Sequence, residues 1–507
     1  MNDQPIDPLP RYEVADPVAP GAIETGLFQA PTENGAPGPI ALHKPLRTGH
    51  IWALGVGSVI TGEFFGWNGG LGVAGPIGML LASLFVCGLY MAWVLSLAEL
   101  AVAMPFAGGP LAYGRRAVGP WLGFLMGWSM LLECLFATIG TAIATGGYVF
   151  FVLESVAPGA DERLVTTAVA LGTVILFAVL QCLGVGTQAR VMEWMTYGAV
   201  VALVWFWVAC IPGIRIERLF TDPILPGGWK GVLLAIPYAI WWLVIIESVA
   251  LAAEEASEPH IAIPRGLAYA QVTLIILVVI TLFVVSSAGE DYRTIGDPTL
   301  AFPLPVVYRQ VWPGPSHLWH LMSFSVLAIC GMVASYNGMI FAVSRQAFAL
   351  GRAGYLPAFL GRVHPERRTP RAAILSGSVI TALFVIVNYF DTDMVTIAVL
   401  TCNLTALVWY ALAIVCLFLL RWNEPHMPRP YRVPLYPVLP AAVLLMSIVS
   451  AVIYGWAQDQ TVLWLTVGMY GVGLAYYVCL ARPHLAAREP LEITSGKFTA
   501  AAPPWKS

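Results

Sequence analysis

Three glutamates stand well away from the ends of long apolar stretches of this sequence, and they are the side chains best able to do chemistry there. They are Glu63, Glu133 and Glu247. A carboxylate in the middle of a bilayer costs several kcal/mol, so an acidic residue inside a membrane span usually faces a cavity or a partner. We therefore treat all three as candidate substrate-binding residues, and Glu247 also as a candidate for coupling transport to an ion.

Cations that could pair with these acids are missing from the same stretches. No lysine falls within an apolar span, and the arginines lie near span ends. A cationic substrate or a proton could therefore occupy the space beside the acids. The alternative is that each glutamate is protonated or is hydrogen-bonded to a neighbouring helix.

Apolar stretches dominate the chain. Of its 507 residues, 58% are hydrophobic and only 11% are charged, whereas about a quarter of the residues of a soluble domain are charged. A helix of about 20 apolar residues is long enough to cross a bilayer. The pattern predicts an all-α, polytopic membrane protein with about twelve transmembrane helices. They lie at approximately 49–68, 75–103, 119–152, 164–186, 191–212, 231–253, 266–288, 318–345, 373–390, 394–420, 434–456 and 461–481.

The basic residues predict how these spans are oriented. An even number of spans places both termini on one side, and that side carries 20 of the 26 lysines and arginines. The other six are Arg163, Arg215, Arg218, Lys230, Arg293 and Arg309. The positive-inside rule then places both termini in the cytoplasm and the chain in the inner (plasma) membrane. We expect a disordered arm over 1–44, one membrane domain over 45–482 and a cytoplasmic tail over 483–507.

Two spans carry interruptions at corresponding places. In the first, glycines at 55, 57, 62 and 66 and the acid Glu63 interrupt the apolar run, and the sixth contains Glu247 near its middle. Broken first and sixth helices are typical of transporters built from two inverted repeats, which hold their substrate near the membrane midplane. We therefore expect one repeat over 49–212, a second over 231–420, and two additional helices over 434–481.

A helix break frees backbone groups that can contact a substrate. Ile60, Thr61 and Gly62 precede Glu63 in the first break, and freed N–H groups bind anions whereas freed carbonyl groups favour cations. In the sixth span, Trp241 precedes the acid and could close over an ammonium group by a cation–π contact. We expect these residues to line the substrate site, with Trp241 as its lid.

Several loop segments carry a family resemblance. They are 344–357 (SRQAFALGRAGYLP), 369–371 (TPR) and 429–434 (RPYRVP). Through them the chain resembles the amino acid-polyamine-organocation superfamily of permeases over about residues 45–480. A narrower set is similar to the ethanolamine permease branch of that superfamily. It consists of 60–68 (ITGEFFGWN), 253–255 (AEE), 263–266 (IPRG) and Glu133.

The resemblance implies roles for individual residues. In members that carry amino acids, a glycine-rich run in the first span holds the substrate carboxylate through backbone amides, and Glu63 stands at one of those glycines. In the sixth span, Ile245 replaces a glycine, whereas Glu247 keeps the acidic position and Trp241 matches a gating aromatic residue. Ala199 stands where several proton-coupled members have a lysine. The coupling ion, a proton or sodium, is therefore left open.

Glu63 decides the substrate class within this resemblance. Two like charges about 4 Å apart repel by about 4 kcal/mol at an effective dielectric of about 20, which would reject a substrate carboxylate. We predict a secondary transporter of a small organic amine, with ethanolamine as first candidate, held between spans one, three, six and eight. Ser335, Tyr336 and Asn337 of span eight are further candidate lining residues. The alternative is a proton-coupled amino acid permease in which Glu63 is protonated or turned away.

Other functional classes lack their signatures. The spans contain no His/Asp cluster, Ser/Lys pair or metal-ligand spacing that an enzyme would need, and no filter-like repeat that would indicate a channel. All eight cysteines lie in apolar stretches without metal-site spacing. We therefore expect no enzymatic activity, no cofactor, no metal and no nucleic-acid partner. The expected partners are the amine substrate and membrane lipid.

Overall fold

The computed structural model describes residues 46–482 and 485, apart from 107, 299, 301, 315–317, 391–393 and 458–459. Within these residues the chain is helical apart from connecting loops and one isolated β-bridge. The α-helices are α1 (Thr48–Val59), α2 (Asn68–Ala103), α3 (Gly109–Ala117), α4 (Pro120–Val156), α5 (Glu162–Cys182), α6 (Val185–Cys210), α7 (Gly228–Ile240), α8 (Ser248–Leu251), α9 (Pro259–Ala288), α10 (Tyr292–Ile295), α11 (Pro303–Val311), α12 (Leu318–Arg352), α13 (Arg371–Phe390), α14 (Met394–Asn423), α15 (Val438–Ala457) and α16 (Gln460–Tyr476).

Ten of the described helices are long and apolar enough to cross a membrane: α2, α4, α5, α6, α9, α12, α13, α14, α15 and α16. Helix α4 is central, with 83% of its most apolar stretch buried, whereas 22% is buried in α16. Large apolar side chains such as Ile175 and Trp464 are exposed on the outer helices. Lipid tails solvate such side chains as well as a protein interior does. The predicted all-helical, polytopic fold class is therefore confirmed.

The first predicted span is interrupted. Helix α1 ends at Val59, and Ile60–Glu63 form a short 3-10 helix before α2 begins at Asn68. Helix α2 is itself kinked at Gly75, which precedes Pro76. Its first two turns therefore continue the first span beyond the break, and the remainder forms the second span.

The sixth predicted span is interrupted as well. Helix α7 ends at Ile240, and the chain then runs through an irregular turn before α8 begins at Ser248. Within that turn Ile245 has φ 77°, a left-handed conformation that β-branched residues rarely adopt. Backbone strain of this kind costs about 1–3 kcal/mol and tends to occur at functional sites. Both helices thus break where the sequence predicted.

The predicted domain boundaries stay predictions. The arm over 1–44 and the tail over 483–507 lie outside the described residues, except for Leu485. The two inverted repeats, over 49–212 and 231–420, remain a prediction.

Candidate functional site

The two broken helices touch each other at Gly62. A Cβ atom at this position would lie 2.6 Å from the Trp241 carbonyl oxygen and 3.1 Å from that of Trp242. Only glycine permits such a close approach of two backbones. The predicted site residues in Ile60–Glu63 and in 241–247 therefore lie against each other, and all of them are buried.

Side chains from two other helices satisfy the backbone of the first break. The Thr61 N–H donates to Ser335 Oγ at 2.9 Å, and the same hydroxyl donates to the Gly57 carbonyl at 2.7 Å. The Tyr148 hydroxyl donates to the Phe64 carbonyl at 2.8 Å. Tyr148 lies on α4 and Ser335 on α12. Spans three and eight, which the sequence predicted to flank the site, therefore do contact the break.

Two of the three acids face each other. Glu133 on α4 and Glu247 at the end of the sixth-span break are fully buried and lie close enough for their charges to interact. The Ile245 N–H donates to Glu247 Oε1 at 2.9 Å. The Trp409 indole donates to Glu133 Oε2 at 2.5 Å, and the Tyr410 hydroxyl lies 3.5 Å from Oε1. Two carboxylates buried near each other repel when both are ionised, which favours a proton on one of them.

An aromatic cluster supports this pair, and sequence analysis did not identify it. The Tyr410 hydroxyl lies 3.2 Å from that of Tyr90, and the Trp93 ring stacks on Tyr410 with centroids 4.4 Å apart. Trp93 also meets Trp409 edge to face. The adjacent Trp409 and Tyr410 in an apolar span could have indicated this cluster from the sequence. Buried indole N–H and phenol O–H groups usually find a polar partner.

Glu63 occupies a different environment. It is fully buried, and neither of its carboxylate oxygens has a hydrogen-bond partner among the described residues. The Thr281 hydroxyl of α9 is near enough to interact with it but does not reach hydrogen-bonding geometry, and Cys87 of α2 lies on the same side. Glu63 therefore lies near α2 and α9, away from the hydrogen bonds that hold Glu133 and Glu247.

The two adjacent tryptophans of the sixth-span break differ in their hydrogen bonding. Trp241 is buried against Phe65, with ring centroids 5.4 Å apart, and its indole N–H has no partner among the described groups. Trp242 donates its indole N–H to Ser83 Oγ at 3.1 Å and stacks on Trp67. Trp241 thus keeps a polar atom available, whereas Trp242 is fixed in the packing.

A small cavity lies beside Trp241. Its lining includes Phe65, Gly66, Tyr238 and Val399, and the first two of these pack against the Trp241 ring. The lining also includes Pro298 and Leu300, from the loop between α10 and α11. The Trp241 ring therefore lies next to this cavity, behind Phe65 and Gly66.

The three candidate residues of span eight, Ser335, Tyr336 and Asn337, do not all contact the same helix. Ser335 is engaged at the first break, as described above. Asn337 accepts two hydrogen bonds from the Gln181 amide of α5, at its backbone oxygen (2.8 Å) and at Oδ1 (2.9 Å). The Tyr336 ring packs against Phe177 of α5, and its hydroxyl has no hydrogen-bond partner among the described residues. The structure therefore brings Ser335, but not Asn337, to the broken helices.

Ion pairs close the bundle on the side where α1 begins. Arg345 Nε lies 2.9 Å from Glu255 Oε1, and both side chains are fully buried. Arg352 pairs with Glu254 at 2.8 Å in a partly buried position. The Leu46 N–H donates to the Glu255 carbonyl, so the segment before α1 is held against the segment after α8. The site is thus closed toward this side.

Comparison with known proteins identifies relatives along nearly the whole chain. The sequence profile of the family described as Amino acid permease matches residues 48–474. An uncharacterized transporter of Rhizobium meliloti (strain 1021) is 29% identical over 82% of this chain and 88% of its own length. A branched-chain amino acid permease of Bacillus subtilis (strain 168) is 24% identical, over 88% of this chain and 94% of its own. A methylthioribose transporter of the same organism is 26% identical, over 88% and 95%.

Proposed function

The chain belongs to the amino acid permease family, and from this premise we propose that it imports a small organic amine, with ethanolamine as first candidate. Family membership makes it a multi-pass membrane transporter of small organic molecules rather than an enzyme. The amine and the alternating-access mechanism described below are our proposal.

Glu63 is the single observation that supports an amine most directly. Its carboxyl group is fully buried in the first break, and both of its oxygens lack a hydrogen-bond partner among the described residues. A buried charge needs a partner of opposite sign. A substrate ammonium could supply it, whereas a substrate carboxylate would be repelled.

The Glu133–Glu247 pair would serve a different step. Because two adjacent carboxyl groups can hold one proton between them, the pair can take up a proton from one side and release it to the other. The unpartnered Glu247 Oε2 supports Glu247 as the member that exchanges the proton. Sodium coupling is the alternative that the experiment below separates.

Alternating access would move the site between the two sides. In our proposal the inverted repeats over 49–212 and 231–420 rock against each other around the substrate. Opening toward the side where α1 begins would require the Arg345–Glu255 and Arg352–Glu254 pairs to separate. Trp241, which packs against Phe65 beside the small cavity, would act as the lid on the other side.

A proton-coupled amino acid permease is the second candidate. Two observations favour it: relatives include proteins named as branched-chain amino acid permeases, and the Glu63 carboxyl group lies on the side of Thr281 and Cys87. With Glu63 turned that way, backbone N–H groups of the first break could serve a substrate carboxylate.

A competition assay in proteoliposomes tests the proposal. Uptake of labelled ethanolamine is measured against unlabelled ethanolamine, choline, putrescine and common amino acids, with and without a proton or sodium gradient. If uptake is saturable and unlabelled ethanolamine is its strongest inhibitor, the result supports an amine as the substrate. If a neutral amino acid is taken up with equal or higher affinity, the amine proposal is wrong and the amino acid permease is the better description.

The membrane and the orientation also belong to the proposal. We place the chain in the inner membrane with both termini in the cytoplasm, because 20 of its 26 lysines and arginines lie on the side of the termini. The ion pairs that close the bundle would then form its cytoplasmic gate.

A further inference from the structure

The Ser335 hydroxyl occupies the place of a helical hydrogen bond. In a continuous α-helix, the Thr61 N–H would donate to the carbonyl of Gly57, four residues earlier. Both groups instead bond to Ser335 Oγ, which lies 2.9 Å from the Thr61 nitrogen and 2.7 Å from the Gly57 oxygen. A side chain inserted into the hydrogen-bond ladder in this way is a recognised cause of helix interruption.

These two bonds occupy the only proton that the Ser335 hydroxyl can donate and one of its acceptor positions. A serine hydroxyl has one proton to donate, and Ser335 gives it to the Gly57 carbonyl while accepting from Thr61. The side chain is fully buried. Ser335 is therefore poorly suited to donate to a substrate, although it lies at the site.

Helix α12 is held tightly against α1 at this point. One turn beyond Ser335, a side chain at Gly338 would collide with the Ser58 side chain. How far the Ser335 hydroxyl reaches into α1 therefore depends on the distance between the two helices. Separating the helices would withdraw the hydroxyl from the ladder.

We propose that Ser335 is a positioning residue that holds the first-span break open, and that its withdrawal during transport lets Thr61 and Gly57 pair directly. The break would then refold into α-helix. A 3-10 helix turns by about 120° per residue and an α-helix by about 100°, so refolding would rotate Glu63 by tens of degrees relative to α1. This inference rests on the proposed alternating-access function, since α12 and α1 must separate for it to operate.

Hydrogen–deuterium exchange of the full-length protein in nanodiscs tests the inference without any substrate. Ser335→Ala removes the inserted hydroxyl, and we expect slower exchange of the amides of residues 61–63, because the ladder can close. Ser335→Thr keeps a hydroxyl and should exchange like the wild type. Ser325→Ala is the matched control, since Ser325 is a buried serine on the same helix whose hydroxyl has no described partner. It should also exchange like the wild type.

Ethanolamine binding supplies a second readout. If the break stays open in only about a tenth of Ser335→Ala molecules, their apparent affinity for ethanolamine falls about tenfold. Ser335→Thr should restore the wild-type affinity. Faster or unchanged exchange of 61–63 in Ser335→Ala would overturn the inference, as would the same slowing in Ser325→Ala. If Ser335→Ala does not fold, Ser335→Cys, with its weak thiol donor, takes its place with the same expected direction. Failure of ethanolamine uptake by the wild type would reject the proposed substrate but leave the exchange result interpretable.

Discussion

The carboxyl groups of Glu133 and Glu247 are buried close to each other, although they come from different spans. Glu133 is anchored by the Trp409 indole, and Glu247 by the Ile245 N–H. One oxygen of Glu247 remains without a described partner. The pair therefore has one fixed member and one member with a free oxygen, which is an arrangement suited to moving a proton.

If Glu247 exchanges that proton, Glu247→Gln should abolish uptake driven by a pH gradient and leave substrate binding largely intact. Glutamine keeps the size and a donor toward Glu133 but cannot release a proton. Gradient-driven uptake and counterflow exchange are measured in the same proteoliposomes. Counterflow is the control, because it requires no net proton movement. Unchanged gradient-driven uptake would rule out this role.

Glu63→Gln should lower the affinity for ethanolamine by about 1.5–3 kcal/mol, the contribution of a charge-assisted hydrogen bond. Discrimination against serine and glycine should shrink as well, because the repulsion of a substrate carboxylate disappears. Glu290→Gln, which removes a carboxylate from an exposed loop residue, should leave both quantities unchanged. Unaltered ethanolamine affinity in Glu63→Gln would count against the amine proposal.

The two tryptophans of the sixth-span break should respond differently to replacement by phenylalanine. Trp241→Phe weakens the cation–π surface and removes the free indole N–H, so ethanolamine binding should weaken by about 0.5–1.5 kcal/mol. Trp242→Phe removes the bond to Ser83 and should lower the melting temperature with little change in affinity. Binding and thermal unfolding are measured on both variants. Equal losses of affinity would show that Trp241 has no special role as a lid.

Breaking the buried Arg345–Glu255 pair should destabilise the closed state strongly. Arg345→Met removes one member of a buried ion pair, and loss of one member typically costs about 3–5 kcal/mol. The partly exposed Arg352–Glu254 pair is the matched control, and Arg352→Met should cost about 0–1 kcal/mol. Thermal unfolding in detergent compares the variants, and Arg345→Met combined with Glu255→Met should recover part of the loss. Equal melting temperatures of the two single variants would contradict this prediction.

Cysteine labelling tests the proposed orientation. Glu366 is exposed in the basic loop between α12 and α13. In a Cys479→Ser background, which removes the exposed native cysteine, Glu366→Cys should react with a membrane-impermeant maleimide only after the cells are permeabilised. Rapid labelling of intact cells would reverse the orientation.

Local features of the sequence were enough to predict the helical, polytopic architecture and the two breaks. Apolar length determines where a span can lie, and the glycine-rich run and the acid inside a span mark where a helix is interrupted. The family resemblance then supplied roles for Trp241 and Ile245. The positive φ of Ile245 is a conformation that glycine adopts readily, which fits the glycine that the resemblance implies for this position.

The partners of the three acids were decided only by the tertiary structure. Hydropathy is nearly uniform around these central helices, so it does not determine how each helix is rotated about its axis. Packing sets that rotation: it turns Glu133 toward Glu247 and the Trp409 indole, and leaves Glu63 facing Thr281. The insertion of Ser335 between Thr61 and Gly57 depends in the same way on the close approach of α12 to α1. No local pattern encodes that contact, because the two segments are far apart in the chain and meet only when the bundle is assembled.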